Sequence, residues 1–223
     1  MQRSDPVHTE LNSGKFITIE GGEGAGKSTQ AGRLQEWLGS KGIETLLTRE
    51  PGGTVEAEEI RRLLIDGPTD RWDPLTETLL HFAARRVHLD RVILPAIRQG
   101  KWVVCDRFAD STMAYQGYGM ELEPTVIAGI YALVIGDFTP DLTIILDMPV
   151  EAAFKRLEQR SGRLDRYEQR DKTFHLRVRD GFRSIAAKEP ERCHVLDAGR
   201  EVDNLAFAIE RLVDEQLATS AIA

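Results

Sequence analysis

Five short apolar runs, each separated from the next by a stretch of helical period, constrain this chain more than any other feature. They are residues 15–20 (KFITIE), 45–48 (TLLT), 102–105 (WVVC), 142–147 (LTIILD) and 193–196 (CHVL). Runs this short, rich in β-branched and aliphatic side chains, suit strands covered on both faces. Between and after them, apolar residues recur at three and four. Val202, Leu205, Ala206, Ile209, Leu212, Val213 and Leu217 form the clearest stripe. Ala31, Leu34, Trp37 and Leu38 form a shorter one, and Val126, Ile127, Ile130, Tyr131 and Val134 another. The span 76–99 is also apolar with helical pattern, and Pro95 is expected to end or kink it near its last turn. Strands that alternate with helices need crossover connections, and crossovers make a parallel sheet. The expected fold is a three-layer α/β domain, with a five-stranded parallel sheet and helices on both faces.

A chain of 223 residues fits one domain with a sizeable core. Its start, MQRSDPVHTELNSG, is polar and lacks the apolar centre of a signal peptide, so residues 1–14 read as a flexible extension and 15–223 as the domain. No apolar run approaches the roughly 20 residues that span a bilayer, and the expected location is the cytoplasm, with no membrane partner. A formal charge of -7 argues against general nucleic-acid binding. Any polyanion must therefore be met by a local basic cluster. Cys105 and Cys193 stand in no CxxC or zinc-like spacing and read as reduced, buried thiols.

Directly after the first apolar run, Gly21, Gly22, Glu23, Gly24, Ala25, Gly26, Lys27 and Ser28 match the pattern G-x-x-x-x-G-K-S/T, with Thr29 next and a helical stripe following. Strand, glycine loop, helix is the setting this motif requires. Glycines let backbone N–H groups turn inward around phosphate oxygens, and the helix directs its positive end at the same anion. Lys27 is expected to reach the β- and γ-phosphates of ATP, and the Ser28 hydroxyl to ligate Mg²⁺. The fold expectation becomes the P-loop NTPase type. The loop alone implies nucleotide binding and leaves the reaction open.

Four further segments, in order, resemble thymidylate kinases. Thr48 to Thr54 reads TREPGGT, the family's signature; Asp106, Arg107 and Phe108 are similar to its DR motif with a following aromatic; Ser111, Thr112, Tyr115 and Gln116 follow at its spacing; and RSGRLDRYE at 160–168 is similar to its arginine-bearing lid. The resemblance covers about residues 15–215. It implies transfer of the ATP γ-phosphoryl to dTMP, giving dTDP and ADP, in a homodimer for which the helix at 126–134 is a candidate contact. By resemblance Arg85 contacts the acceptor phosphate, and Glu50 lies near the acceptor sugar and phosphate. Thr112 meets the pyrimidine edge, Tyr115 crowds the 2′ position, and Gln116 belongs to the same substrate site. Adenine contacts are implied near Asp197 and Ala198. His81 stands where the family places an aromatic stacked on thymine; a neutral histidine can also stack, and Phe82 beside it is the alternative.

The residues agree with these roles. Asp106 ends an apolar strand, where a carboxylate can hold Mg²⁺ or its waters. Arg107 can clamp a phosphate with two parallel hydrogen bonds, which a lysine cannot reproduce. For Glu50 the structural alternative is a pair with Arg49 or Arg107. Arg160, Arg163 and Arg166 recur every third residue in a mobile lid expected over about 158–170, suited to charge that spreads over transferred phosphoryl oxygens. Glu23, acidic inside a phosphate loop, is expected to orient a lid arginine, Arg163 first among them; this matches the bacterial type of the family, whose basic residues sit in the lid. Two other readings compete: another nucleotide or deoxynucleoside kinase on the same scaffold, and a non-catalytic nucleotide-binding regulator. TREPGG and the Thr112–Tyr115 spacing disfavour the first. Joint retention of Lys27, Asp106, Arg107 and the lid arginines disfavours the second.

Overall fold

In the computed structural model, which describes residues 14–159 and 165–217, each apolar run is a strand: β1 (Phe16–Gly21), β2 (Thr45–Arg49), β3 (Trp102–Asp106), β4 (Leu142–Asp147) and β5 (Cys193–Asp197). They form one sheet in the order β2-β3-β1-β4-β5, every neighbouring pair parallel. The connecting helices are α1 (Lys27–Ser40), α2 (Val55–Ile65), α3 (Pro74–His88), α4 (Leu94–Arg98), α5 (Ala109–Thr112), α6 (Pro124–Val134), α7 (Val150–Gln159), α8 (Lys172–Lys188) and α9 (Val202–Leu217). Alternate strand residues point to opposite faces, and this divides the core. Ile17, Ile19, Val104, Ile144 and Leu146 pack with Leu34 and Leu38 of α1 and Leu205 and Ile209 of α9. On the other face Ile145 packs with Phe174, Val178 and Phe182 of α8, and Phe16, Val103 and Cys105 pack with Leu89 and Ile93. The three-layer expectation holds. Among the described residues no helix is long and apolar enough to cross a membrane.

As expected, the helix is disturbed beside Pro95 and ends within a turn of it. The chain stays helical to Arg98, and the irregularity precedes the proline: Leu89–Ile93 is a wide π turn in which the Leu94 N–H reaches back to the Leu89 carbonyl. Pro95 follows it closely. With no N–H to return to the preceding turn and a ring that crowds the carbonyl four residues back, a proline disturbs a continuous helix just where the wide turn lies. A second π turn, Met113–Gly119, follows α5 and carries Tyr115 and Gln116. Such turns concentrate at functional sites, because the extra residue re-aims side chains.

Parallel pairing sets the position of the site. Ile19 of β1 pairs with Asp106 of β3, and Asp106 pairs with Arg49 of β2. The glycine loop, the Asp106–Arg107 turn and Glu50 therefore leave the sheet side by side at its carboxyl edge, where open α/β sheets bind ligands.

Candidate active site

A cavity of about 630 Å³ opens over that edge. Its floor is the glycine loop. Gly26 caps α1 in the left-handed region at φ 88, and no side chain caps the helix. The first N–H groups of α1 thus lack an intrahelical acceptor and form an anion site. A Cβ at Gly26 would meet nothing within 4 Å, so it is the positive φ and not crowding that favours glycine there. Gly24 is needed for a different reason: a Cβ would stand 2.8 Å from the Ala153 carbonyl of α7. Lys27 is only 8% exposed, and its Nζ donates to the Gly22 carbonyl at 2.7 Å. Burial and then Arg107 lower its pKa, with Glu23, Asp106 and Glu20 opposing. Ser28 Oγ donates to Asp106 Oδ2 at 2.5 Å, and Thr29 lines the same cavity.

Arg107 takes φ 71, which a residue with a side chain adopts at a cost of about 1–2 kcal/mol. The bend turns the guanidinium onto the loop. Nη1 donates to the Gly21 carbonyl (3.1 Å) and Ser111 Oγ (3.2 Å), and Nη2 to Glu23 Oε1 (2.7 Å). The group also lies 4.9 Å from the Tyr115 ring centroid, and Tyr115 Oη donates to the same Glu23 oxygen at 2.8 Å. Burial would push the Glu23 carboxyl up; Arg107, Lys27 and the Tyr115 hydroxyl outweigh it and hold the pKa at about 2. Beneath the turn, fully buried Glu20 accepts from the Phe108 N–H (2.7 Å) and Ser111 Oγ (2.5 Å). Burial and Asp110 raise its pKa to about 7, against the Ser111 bond, Arg107 and the Phe108 N–H. Glu20 is a brace for the strained turn, and it does not line the cavity.

Glu50 pairs with neither Arg49 nor Arg107. Its Oε2 accepts from Arg85 Nε at 2.7 Å and its Oε1 meets His88 Nδ1 at 3.0 Å, while Arg49 pairs with Glu58. Arg85, 2% exposed, also gives Nη2 to the Phe108 carbonyl and Thr112 Oγ1. Its Nη1 has no hydrogen-bond partner among the described residues. His81 lines the cavity, whereas Phe82 is buried in the core, 4.8 Å under the Arg85 guanidinium and edge-on to Tyr131. Of the two aromatic candidates, only His81 faces the space a base can occupy. Burial, then Arg85, Arg107 and Arg61, take its pKa down to about 3, so the ring is neutral. Gln116 gives Nε2 to Glu77 at 2.8 Å, leaving a buried, unpartnered Oε1 on the cavity wall.

Arg160 and Arg163 lie outside the described residues, as does the expected Glu23–Arg163 pair; the described partners of Glu23 are Arg107 and Tyr115. Arg166 departs from the lid expectation. It is buried and paired with Glu77, which is itself fully buried. Arg166 does not line the cavity.

Four contributors escape sequence reading. Arg61 of α2 donates to the Pro51 carbonyl and lines the cavity, its pKa lowered by burial and then Arg49. Arg156 of α7 ties the Gly24 and Ala198 carbonyls together, bridging the loop to the chain after β5. His88 links Glu50 to Thr48, and Tyr167 meets His81. The first two complete the basic cluster that an acidic protein needs around a polyanion. Arg61, Arg156 and His88 have no signal beyond a place on a helix face, and Tyr167 lies in a turn within the 160–168 segment, where only the arginines stood out.

Comparison with known proteins follows the geometry. A family model described as Thymidylate kinase matches residues 19–209. The chain is 49% identical to a thymidylate kinase of Caulobacter vibrioides over 207 residues, covering 93% of this chain and 99% of the relative. It is 48% identical to that of Chromohalobacter salexigens over 210 residues, 94% and 99% respectively. The crystal structure of thymidylate kinase from Ehrlichia chaffeensis superposes with a TM-score of 0.72 at 38% identity, over 90% of this chain and 99% of that one.

Proposed function

Because this chain belongs to the thymidylate kinase family, we infer that it is an ATP-dependent dTMP kinase, and we propose that the cavity above β1 and β3 performs the transfer. One observation carries the assignment of residues: the Ile19–Asp106 pairing sets the glycine loop and Arg107 on one cavity, the first suited to the donor's phosphates and the second to the acceptor's.

Lys27 and the open N-terminus of α1 hold the β- and γ-phosphates of ATP, and Arg107 holds the phosphate of dTMP. The acceptor's second pKa is about 6, so its oxygen is already anionic at neutral pH and needs no general base. That oxygen attacks the γ-phosphorus in line, a new P–O bond forms, the bond to the β-phosphate oxygen breaks, and ADP leaves. Charge spreads over the transferred oxygens in the transition state, and the pre-placed cations stabilise it without reorganising. Arg160 and Arg163 complete that cation set in this reading. Ser28 and Asp106 fit a Mg²⁺ ion, since a hydroxyl and a carboxylate converge to 2.5 Å beside Lys27. Bound there, such an ion neutralises charge on the β- and γ-oxygens. Asp106→Asn is expected to raise the Mg²⁺ concentration for half-maximal activity about 10-fold or more; a Mg²⁺ titration of initial rate checks it, and an unmoved midpoint removes Asp106 from the site.

The base is read by groups left unpaired. Gln116 gives one amide N–H to Glu77, which leaves its buried Oε1, unpartnered among the described residues, as an acceptor for the thymine N3–H, and Arg85 Nη1 offers a donor for a carbonyl. His81 supplies the stacking face. Tyr115, under the Arg107 guanidinium, crowds the 2′ position, and Thr112 and Ser111 orient the two arginines. A coupled ADP-release assay across nucleoside monophosphates tests the reading. dTMP is expected to exceed dUMP in kcat/KM by about 10- to 200-fold, the limit one methyl group allows, and a purine monophosphate turned over faster than dTMP would overturn it.

A cytoplasmic location and a homodimer through α6 belong to the same reading. Both cysteines are buried and free, as reduced thiols would be, and α6 exposes Val126 and Leu133.

A further inference from the structure

We propose that Tyr167 is a positioning residue for the base grip, acting through His81; the proposal rests on the assignment of the cavity to dTMP. Tyr167 is buried, and its Oη donates to Glu77 Oε1 at 2.9 Å. Glu77 faces the Arg166 guanidinium and also accepts from Gln116 Nε2, so it is an acceptor with a cation opposite. A phenol has one proton. With that proton given to Glu77, the Tyr167 oxygen can only accept from His81 Nε2, 2.9 Å away. The chain Glu77, Tyr167, His81 therefore fixes the imidazole as the Nε2–H tautomer and fixes the plane of its ring.

Tyr167 is suited to this because it is buried and held on several sides. Its ring stands edge-on to Tyr115, 5.7 Å between centroids, and its backbone N–H donates to Asp165 Oδ1 at 2.8 Å. Its ring meets that of His81 at a tilt of 47° with centroids 6.2 Å apart, so the two are tied at their edges and Tyr167 does not stack on the imidazole. Histidine has less ring area than phenylalanine to present to a pyrimidine. A fixed plane compensates, since a ring held in advance loses less freedom on binding. Glu77 serves twice, orienting His81 through Tyr167 and Gln116 directly.

The test is Tyr167→Phe made in two backgrounds, the unmodified chain and His81→Phe, whose ring stacks but cannot accept this restraint. In the unmodified background KM for dTMP is expected to rise about 10-fold, with kcat and KM for ATP within twofold. In the His81→Phe background the same change is expected to leave KM for dTMP where it was. An unmoved KM in the first background overturns the proposal, and so does an equal rise in both, which is what a purely structural hydroxyl would give. Thermal melts of all four proteins show that each is folded. Absence of dTMP phosphorylation by the unmodified chain would remove the parent reading as well, whereas an active parent with an indifferent Tyr167→Phe removes this one alone.

Discussion

Lys27→Ala is expected to lower kcat by about 10²- to 10³-fold while the protein stays folded. The magnitude is that of removing one pre-placed donor from a site where charge develops in the transition state. Lys27 lines the cavity at the glycine loop, and its only described hydrogen bond is to the Gly22 carbonyl. Burial and the neighbouring Arg107 both work against its charge. In the absence of ATP the ammonium is therefore held at some cost, and a methyl group in its place relieves that cost. The melting temperature should be unchanged or slightly higher. Single-turnover formation of ADP at saturating ATP and dTMP measures the chemical step, and a scan of thermal unfolding measures the fold. A variant within tenfold of the parent in kcat would show that the loop backbone, not the lysine, does the electrostatic work.

How far the sequence reaches depends on what a residue's role rests on. The five strands were legible because a strand buried on both faces must be apolar along its length, and Ile17, Ile19, Val104 and Ile144 are that requirement written out. The loop was legible because Gly26 has to adopt φ 88 and Lys27 has to follow it. Roles set by helical rotation were not. His81 and Phe82 differ by one residue, about 100° around α3, and only the packing of Phe82 against Arg85 and Tyr131 decides which faces the cavity. Arg160, Arg163 and Arg166 are indistinguishable as a pattern, yet Arg166 is spent on Glu77, a carboxylate 89 positions away with nothing in its neighbourhood to announce it. The partners of Glu50 were out of reach for the same reason. The structural alternatives were Arg49 and Arg107, while α3 brings Arg85 and His88 across the sheet edge to the carboxylate. Pro95 announced a disturbance in this helix but not its form, because a wide turn leaves no mark on apolar spacing over five residues.

Arg107 separates chemistry from stability by the choice of replacement. Arg107→Ala is expected to lower kcat/KM for dTMP by about 10³-fold, the scale of deleting one member of a desolvated, hydrogen-bonded charge pair. Arg107→Lys should recover little, because a point charge cannot repeat the two-pronged contact. Both the alanine and the glycine variants also take the guanidinium from Glu23, whose carboxyl is held at about 2 by Arg107 and Lys27 against the effect of burial. A carboxylate with a depressed folded pKa adds stability that is present above its ordinary value near 4.5 and lost as pH falls toward 2. The stability gap between parent and variants should therefore be full at neutral pH and narrow below pH 4.5. Between the two variants the difference is one of backbone. At φ 71 alanine keeps the left-handed cost and glycine does not, so Arg107→Gly should be about 1 kcal/mol more stable than Arg107→Ala while equally inactive. Denaturant midpoints at pH 7 and pH 4, set beside kcat/KM for the three variants, give all of these quantities. Equal stability of the glycine and alanine proteins would mean that the turn relaxes once the guanidinium is gone, and that the strain is imposed by the contacts Arg107 makes with Gly21, Ser111 and Glu23.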